Sequence, residues 1–238
     1  MTLSRTRSLR RFSKRLCAGV AIVAVAWALF EIAVWPDVPA IARTVPERTA
    51  FMRRYEARHG RPVRVEWIAY GNISDHLKRA ILVAEDIDFF SHDGFATAEL
   101  RAALREAVAS RSLPRGASTI TQQLAKNLWL SPARSPRRKI REALLTRALE
   151  RHVGKRRILE VYLNVVEFGD GTFGCEAASR HYFGKSAAGL TRRQAARLAA
   201  VLPRPSTWQA DGNSPGYLAA VRRIERRMER AAWLGKVI

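Results

Sequence analysis

The chain has 238 residues, of which 47% are hydrophobic and 26% are charged, a balance that is typical of a folded protein and excludes an intrinsically disordered one. Its 42 Lys and Arg residues against 21 Asp and Glu residues give a net charge of +21, which favours a polyanionic partner. Nucleic acid, phospholipid headgroups and a phosphate-bearing substrate all meet that requirement, and charge alone does not distinguish between them.

The N-terminus combines a basic cluster with an apolar run. Residues 16–35 are apolar apart from Glu31, and 20 residues of helix at about 1.5 Å each span roughly 30 Å, the thickness of a bilayer's hydrocarbon core. We therefore predict a transmembrane anchor at residues 16–35, preceded by a cytoplasmic basic tail at residues 1–15. A cleaved signal peptide is the main alternative, but no small-residue cleavage site precedes Pro36.

Beyond the anchor, most segments have helical periodicity. Residues 36–60 contain three prolines and then a basic helical stretch, which predicts a linker and a first helix. Residues 63–67 alternate between apolar and polar side chains and form the one segment with a strand pattern. A single domain is predicted over residues 61–238. Its other helices are predicted near residues 74–88, 96–110, 119–130, 137–151, 155–165, 174–182, 191–202 and 215–234.

The helix predicted at residues 74–88 runs into an acidic cluster. Glu85 follows Ile81 by four residues and so falls at the end of the helix's apolar stripe. Partial burial there would raise the pKa of Glu85 toward neutrality, as a general acid or base requires. The same acids and His92 would otherwise be a solvated helix end with surface hydrogen bonds.

The segment that starts at Gly116 carries a Thr119-x-x-Gln122 capping box, which predicts a helix start near Ser118 or Thr119. The spacing of the apolar residues predicts its buried face: Ile120, Leu124 and Leu128. The opposite face then carries Thr119, Gln122, Gln123 and Lys126. Their hydroxyl, amide and ammonium groups suit sugar hydroxyls and phosphate oxygens. Ordinary capping with a solvated polar face explains the same pattern.

Cations are concentrated around this region, since residues 111–157 contain 13 Lys and Arg and two acids, Glu142 and Glu150. The amphipathic helix within it is predicted to pack four aliphatic side chains inward: Ile140, Leu144, Leu145 and Leu149. Glu142 is then on or near the basic side. It is either an ion-pair partner or a second active-site carboxylate that the surrounding charge keeps ionised.

Five motifs occur in order between about residues 65 and 210. They are Glu85-Asp86-x-x-Phe89-x-x-His92-x-Gly94, Gly116-x-Ser118-Thr119-Ile120-Thr121-Gln122-Gln123, Arg138-Lys139-x-x-Glu142, Ile158-Leu159-Glu160-x-Tyr162-Leu163-Asn164 and Phe168-Gly169-x-Gly171-x-x-Gly174-x-x-Ala177-Ala178. Their identity and order resemble the peptidoglycan glycosyltransferase family, also called glycosyltransferase family 51. The body lacks the Ser-x-x-Lys and Lys-Thr-Gly motifs of a penicillin-binding half, so the chain resembles the monofunctional form without transpeptidase activity.

The resemblance implies a mainly α fold: a lysozyme-like, two-lobed glycosyltransferase domain preceded by one N-terminal transmembrane helix. It implies that Glu85 is the base for the acceptor sugar's 4-hydroxyl and that Glu142 is the second glutamate, while Lys126 and Arg134 match phosphate-contacting cations. The positions that match the donor site are Ser118, Gln122, Gln123, Arg138 and Lys139. The first-motif positions with supporting roles are Asp86, Phe89, His92 and Gly94.

The resemblance also implies the substrate and the location. The substrate is undecaprenyl-diphosphate-linked disaccharide pentapeptide (lipid II), which is added to a growing glycan strand in a β-1,4 linkage, with inversion and release of undecaprenyl diphosphate. Membrane lipid and other cell-wall synthesis proteins are the further expected partners, and nucleic acid is not. The expected location is the bacterial inner membrane, with a single span and an extracytoplasmic catalytic domain.

The cofactor requirement is left open by the resemblance. No His and Cys pair has the spacing of a zinc site, and no Gly-rich phosphate loop is present. No metal ligand is assigned, although a divalent cation such as magnesium is compatible with the diphosphate, and Glu142 is expected to organise either such an ion or the nearby cations.

Two other functions fit part of the pattern. A hydrolase that cuts the same polymer would also use one glutamate of raised pKa as its general acid, but it has little need for the four cations Lys126, Arg134, Arg138 and Lys139. A non-enzymatic membrane protein that binds an anionic polymer or nucleic acid through charge would lose that binding in salt and keep it in Glu85→Gln.

Overall fold

The computed structural model describes residues 33–95, 118–133 and 135–238, with scattered positions between residues 19 and 31. The chain divides into two compact units, Met1–Asp37 and Val38–Ile238. The helix predicted at residues 96–110 lies outside the described residues, as does Arg134.

The predicted anchor at residues 16–35 is described only in part. Within the described part of the chain, no helix has the length and apolar character needed to cross a membrane. The anchor stays a prediction from the sequence.

The described residues of the larger unit form eight α-helices and one short hairpin. The helices are α1 (Ala50–His59), α2 (Asp75–Glu85), α3 (Ile120–Trp129), α4 (Pro136–His152), α5 (Lys155–Val165), α6 (Cys175–Phe183), α7 (Arg192–Val201) and α8 (Pro215–Arg230). Strands β1 (Glu167–Gly169) and β2 (Thr172–Phe173) pair antiparallel. Four 3-10 turns lie at Pro39–Ala42, Tyr70–Asn72, Ala187–Gly189 and Ala232–Lys236. The mainly α prediction is confirmed, and the two-lobed arrangement stays a prediction.

The strand predicted at residues 63–67 is wrong, because the backbone there pairs with side chains rather than with a second strand. Val63 N–H donates to Glu56 Oε1 at 2.8 Å. Just beyond, Ile68 N–H donates to Asn164 Oδ1 at 2.8 Å, and Asn164 Nδ2 donates to the Ile68 carbonyl at 2.9 Å. A buried asparagine of α5 thus satisfies backbone groups that a sheet would otherwise pair.

Two helices end earlier than predicted. α2 ends at Glu85 rather than near residue 88, because Asp86 leaves the helical conformation with φ −166° and ψ 82°. α8 ends at Arg230, and a 3-10 turn at Ala232–Lys236 follows it. The first of these differences places Glu85 at the carboxyl end of a helix.

The helices pack in two groups that meet at the end of α2. In one group, α2 packs against α7 and α8. Buried Ala195, Ala196 and Ala199 on α7 allow a close approach, since interaxial distance depends on side-chain size. In the other group, α3 packs against α1, α4 and α5. The functional residues of α2, α3 and α4 lie where these groups meet.

The predicted inward packing of α4 is half wrong. Leu145 and Leu149 are fully buried, but Ile140 and Leu144 are 55% and 54% exposed. The buried residues of α4 are Glu142, Leu145, Thr146 and Leu149, which are spaced three and four apart and therefore share one face. Ile140 and Leu144 lie on a different stripe, so α4 buries a carboxylate and exposes two aliphatic side chains.

Candidate active site

Glu85 is the last residue of α2 and is half-buried. Burial raises the pKa of its carboxyl group above the ordinary value, and the charge of Asp86 adds to the rise. A 2.8 Å hydrogen bond from Gln123 Nε2 to Glu85 Oε2 acts in the opposite direction, as do the charges of Arg227 and Lys126. The carboxyl end of a helix also disfavours an anion. The carboxylate expected from the apolar stripe, with a raised pKa suited to a general base, is therefore present.

The amide of Gln123 is held in one orientation by a tyrosine of α5. Tyr162 Oη donates to Gln123 Oε1 at 2.9 Å, so the amide nitrogen is directed toward Glu85. Tyr162 is fully buried, and burial raises its pKa well above the ordinary value, which keeps the hydroxyl protonated as a donor. The sequence analysis gave Tyr162 no role beyond its place in the fourth motif and missed this contact. The available signal was a hydroxyl in an apolar stripe, since a buried tyrosine needs a hydrogen-bond partner.

We expect Gln123→Met to move the acid limb of the pH–rate profile to higher pH. The hydrogen bond from Gln123 stabilises the ionised form of Glu85, so its loss raises the Glu85 pKa further. Tyr162→Phe should produce a smaller shift in the same direction, because the amide stays in place but loses its orienting partner. The measurement is initial rate against pH for the three proteins. A limb that stays in place in Gln123→Met would refute the coupling.

Asp86 connects the end of α2 to the start of α3 through one carboxylate oxygen and to His92 through the other. Its Oδ2 accepts from the Ile120 N–H at the start of α3 at 3.0 Å, and its Oδ1 accepts from His92 Nε2 at 2.9 Å. His92 Nδ1 accepts from Gly94 N–H at 3.0 Å, so the ring proton lies on Nε2. Asp86 and His92 are thus placed to support Glu85, and their predicted supporting roles stay predictions.

Gly94 ends the first motif in a conformation that few other residues can adopt. Its φ is +84°, and a Cβ there would lie 2.8 Å from both Glu150 Cγ and Thr146 Cγ2. Its carbonyl accepts from Thr119 Oγ1 at 2.7 Å. The requirement for glycine therefore comes from α4, which packs directly behind this turn.

Glu150 supports the first motif through side-chain contacts that reach Phe89. The sequence around Glu150 did not indicate this role. Its Oε1 accepts from Thr121 Oγ1 at 2.5 Å and from Lys155 Nζ at 2.8 Å. Lys155 Nζ also lies 4.5 Å from the centroid of the buried Phe89 ring. The second acid of the basic region thus connects α3, α4 and α5 beneath Phe89.

The polar face predicted for α3 is partly wrong, although the capping box is confirmed. Thr119 and Gln122 are buried, and Gln122 Oε1 accepts from the Thr119 N–H at 3.0 Å. Gln123 and Lys126 are only half-buried, so they form the open stripe, while Ser118 is exposed just before the helix. Neighbouring helices cover the rest of α3, which is why periodicity alone overestimated its polar face.

Glu142 is buried rather than on the basic surface, but two cations of its own helix reach it. It is 3% exposed, and it accepts hydrogen bonds from Arg138 Nη1 and Lys139 Nζ. Within the described part of the chain, Arg138 Nε is buried and has no hydrogen-bond partner. The ion pair with Glu142 therefore fixes the Arg138 guanidinium, whose Nε–H is an unused hydrogen-bond donor.

Lys126 interacts electrostatically with Glu85 and with the cations Arg138 and Lys139. Lys126, Arg138 and Lys139 together are called the cationic cluster. Burial lowers the pKa of its ammonium group, while Glu142 and Glu85 raise that pKa and Arg138 and Lys139 lower it. All four charges therefore act on one ammonium group, which makes Glu85, Lys126, Arg138, Lys139 and Glu142 a single electrostatic site. Arg134, the other predicted phosphate contact, lies outside the described residues.

The described residues do not fit a magnesium site at Glu142. Both of its carboxylate oxygens already accept hydrogen bonds from cations, and magnesium prefers free carboxylates and water. Among the described residues, no group of three or more His, Cys, Asp or Glu side chains is arranged to hold a metal ion. The geometry instead fits the expected role of Glu142 in organising cations.

Arg227 is a further site residue that sequence reasoning missed. It lies on α8, which packs against α2, and its charge lowers the pKa of Glu85. The run of arginines on α8 gave no sign of which one acts on the pKa of Glu85.

The chain matches the family described as Transglycosylase over residues 52–231. It is also similar to curated relatives named biosynthetic peptidoglycan transglycosylase. The one from Aromatoleum aromaticum is 49% identical over 188 residues, which is 77% of this chain and 81% of the relative. That from Nitrosospira multiformis is 48% identical over 170 residues (71% and 74%), and that from Thiobacillus denitrificans is 44% identical over 226 residues (92% and 95%).

The mainly helical fold agrees with these similarities. The chain belongs to the transglycosylase family and is a peptidoglycan glycosyltransferase. The resemblance found in the five motifs is thereby confirmed.

Proposed function

We propose that this glycosyltransferase polymerises lipid II into β-1,4-linked glycan strands with inversion at the anomeric carbon. The observation that carries the proposal is a half-buried carboxylate of raised pKa, Glu85, placed beside the cations that surround Lys126. A base and a cluster of cations are what an acceptor hydroxyl and a departing diphosphate require. A simple hydrolase of uncharged glycosidic bonds would need the carboxylate but not the cluster of cations.

The proton-transfer step is assigned to Glu85 in its ionised form. Gln123 occupies Oε2, so Oε1 is the atom we assign to the acceptor sugar's 4-hydroxyl. The hydroxyl proton passes to Glu85 as the oxygen bonds to the anomeric carbon of the donor. The bond from that carbon to the diphosphate oxygen breaks on the opposite face, which converts an α-diphosphate into a β linkage.

The leaving group is assigned to the cationic cluster. Undecaprenyl diphosphate departs with the bonding electron pair, and Lys126, Arg138 and Lys139 supply positive charge for it. Such stabilisation is commonly worth about 3 kcal/mol for each group. Glu142 holds two of these cations in place.

The direct test is polymerisation of purified lipid II by the full chain. We expect polymeric glycan that lysozyme digests, with one undecaprenyl diphosphate released for each disaccharide added. Lysozyme sensitivity reports the β-1,4 linkage and therefore the inversion. If the protein instead shortened preformed glycan and left lipid II unchanged, a hydrolase function would replace this proposal.

The membrane location is also proposed, with residues 16–35 as a single anchor in the bacterial inner membrane, the N-terminus in the cytoplasm and the catalytic domain outside it. The apolar run and its basic flank support this. The exposed Ile140 and Leu144 on α4 add support, because aliphatic side chains beside cations suit the interfacial region of a bilayer. An anchored enzyme meets a substrate with a polyprenyl tail in two dimensions. Partnership with other cell-wall synthesis proteins stays a prediction.

We expect the double variant Ile140→Ser/Leu144→Ser to lose activity on lipid II in vesicles by about tenfold, because two exposed aliphatic groups no longer enter the interface. Activity on detergent-solubilised lipid II should stay within about twofold, since neither side chain lines the glutamate-and-cation site. The measurement is the rate ratio between vesicles and detergent. The exposed Val45→Ser is the matched control, with an unchanged ratio. An unchanged ratio in the double variant would contradict the membrane contact.

A further inference from the structure

A small surface pocket lies at the amino end of α8. Its volume is about 140 Å³. The side chains that line it include Thr207, Trp208, Gln209, Asn213, Ser214 and Tyr217. Not one of the described residues that line it is charged, although the chain has a net charge of +21. The pocket is therefore chemically different from the phosphate-binding side of the site.

The loop that forms this pocket is held in place before any ligand arrives. Arg197 donates through Nε to the Ala210 carbonyl and through Nη2 to the Gly212 carbonyl, the latter at 2.7 Å. Tyr217 Oη lies 3.0 Å from the Ala210 and Arg197 carbonyl oxygens, and burial raises its pKa, which keeps the hydroxyl a donor. A preformed pocket binds more tightly because less ordering entropy is lost on binding.

The lining suits a neutral sugar. The half-buried Trp208 ring packs edge-on against Tyr217, with centroids 5.8 Å apart, and the amides of Gln209 and Asn213 are exposed beside it. An aromatic ring with a few amides and hydroxyls matches a ring that carries hydroxyl and acetamido groups. The Arg204 guanidinium lies over the Trp208 ring, 5.2 Å from its centroid, but Arg204 does not line the pocket. The volume is below the roughly 300 Å³ at which pockets for drug-sized ligands begin, so the pocket has room for no more than about one sugar unit.

α8 connects this pocket to the active site. Tyr217 lines the pocket, and Arg227, ten residues later on the same helix, acts on Glu85. Ten residues of helix span about 15 Å. A glycan strand that extends from Glu85 along α8 would cover that distance within a few sugar units. We propose that the pocket is a subsite for an N-acetylated sugar unit of the glycan strand, an inference that rests on the polymerase function proposed above.

Binding is tested with the full chain carrying Glu85→Gln, so that no turnover occurs. The probe is a short oligosaccharide of β-1,4-linked N-acetylglucosamine, and its dissociation constant is measured by NMR titration. Trp208→Ala should weaken binding by about tenfold, which is the effect of losing an aromatic anchor. Gln209→Ala and Asn213→Ala, at exposed positions that folding tolerates, should each weaken binding by about threefold. Trp233→Ala, an exposed tryptophan outside the pocket, should have no effect.

Strand length is tested in the protein with Glu85 intact. Trp208→Ala and Asn213→Ala should shorten the polymer when strand length is compared at equal consumption of disaccharide. Equal affinity in all the pocket variants, or no binding of the probe, would overturn the subsite. Lost binding with unchanged strand length would overturn its assignment to the strand. If the parent protein makes no polymer, the proposed function fails, and the binding experiment still decides the pocket.

Discussion

Glu85→Gln is expected to abolish polymerisation of lipid II while leaving the fold intact. The amide cannot take a proton from the acceptor hydroxyl, and loss of a general base typically lowers the rate by about a hundredfold or more. The introduced side chain would keep an amide oxygen that can accept from Gln123 Nε2, so the local hydrogen bond survives. The measurement is the initial rate with purified lipid II. Substantial remaining activity would remove Glu85 from the role of base.

The same variant should be more stable than the parent at neutral pH. Because burial raises the folded-state pKa of Glu85, the folded protein binds more protons than the unfolded one between the two pKa values. Stability is therefore lost as pH rises through that window and is not regained above it. Glutamine does not titrate. We expect the stability difference to be largest at pH 7 and to vanish below about pH 4, the ordinary range of a glutamate.

Glu167→Gln is the matched control for these two effects. Burial raises the pKa of Glu167 as well, and its Oε1 accepts from the Gly171 N–H at 3.1 Å, but it is part of the β1–β2 hairpin rather than the site. The control should gain stability at neutral pH and keep full activity. Thermal unfolding at pH 7 and pH 4 checks both proteins. A loss of stability in Glu85→Gln at pH 7 would show that burial does not destabilise the ionised carboxylate.

Glu142→Gln should both destabilise the protein and reduce its activity. The variant leaves Arg138 and Lys139 without a counter-charge beside Lys126, and breaking a buried ion pair commonly costs about 3 kcal/mol. Lys139 is half exposed, so most of the cost comes from Arg138. The cations also lose their fixed positions near the leaving group. We therefore expect a lower free energy of unfolding together with a reduced rate.

A surface ion pair provides the control for Glu142. Glu229 pairs with Arg192, and both side chains are about half exposed. Glu229→Gln should cost less than about 1 kcal/mol and leave the rate unchanged. The free energies come from urea unfolding of the parent and the two variants. If Glu142→Gln cost no more than Glu229→Gln, the buried cation-holding role of Glu142 would be refuted.

The burial of α4 was the feature that sequence reasoning handled least well. Four aliphatic residues, Ile140, Leu144, Leu145 and Leu149, were all predicted to face inward, although they cannot share one face of a helix. The structure buries Leu145 and Leu149 with Glu142. Which stripe faces the core depends on the position of α3, and the helix's own periodicity does not contain that information.

The sequence by itself determined the features that depend on neighbours along the chain. The capping box of Thr119 and Gln122 forms as predicted, and Glu85 lies at the end of the apolar stripe of α2. Hydrogen bonds and side-chain spacing within one or two turns specify these features. The five ordered motifs likewise indicated the family, which the similarity over residues 52–231 bears out.

Only the tertiary structure decided how Glu85 is controlled. Its hydrogen bond comes from Gln123, whose orientation is set by Tyr162, and the three residues lie on α2, α3 and α5. Burial, charge and hydrogen bonding together set a pKa, and each depends on which helices pack around the carboxylate. Contacts between residues distant in the chain form only when the core assembles, so no local pattern could specify them.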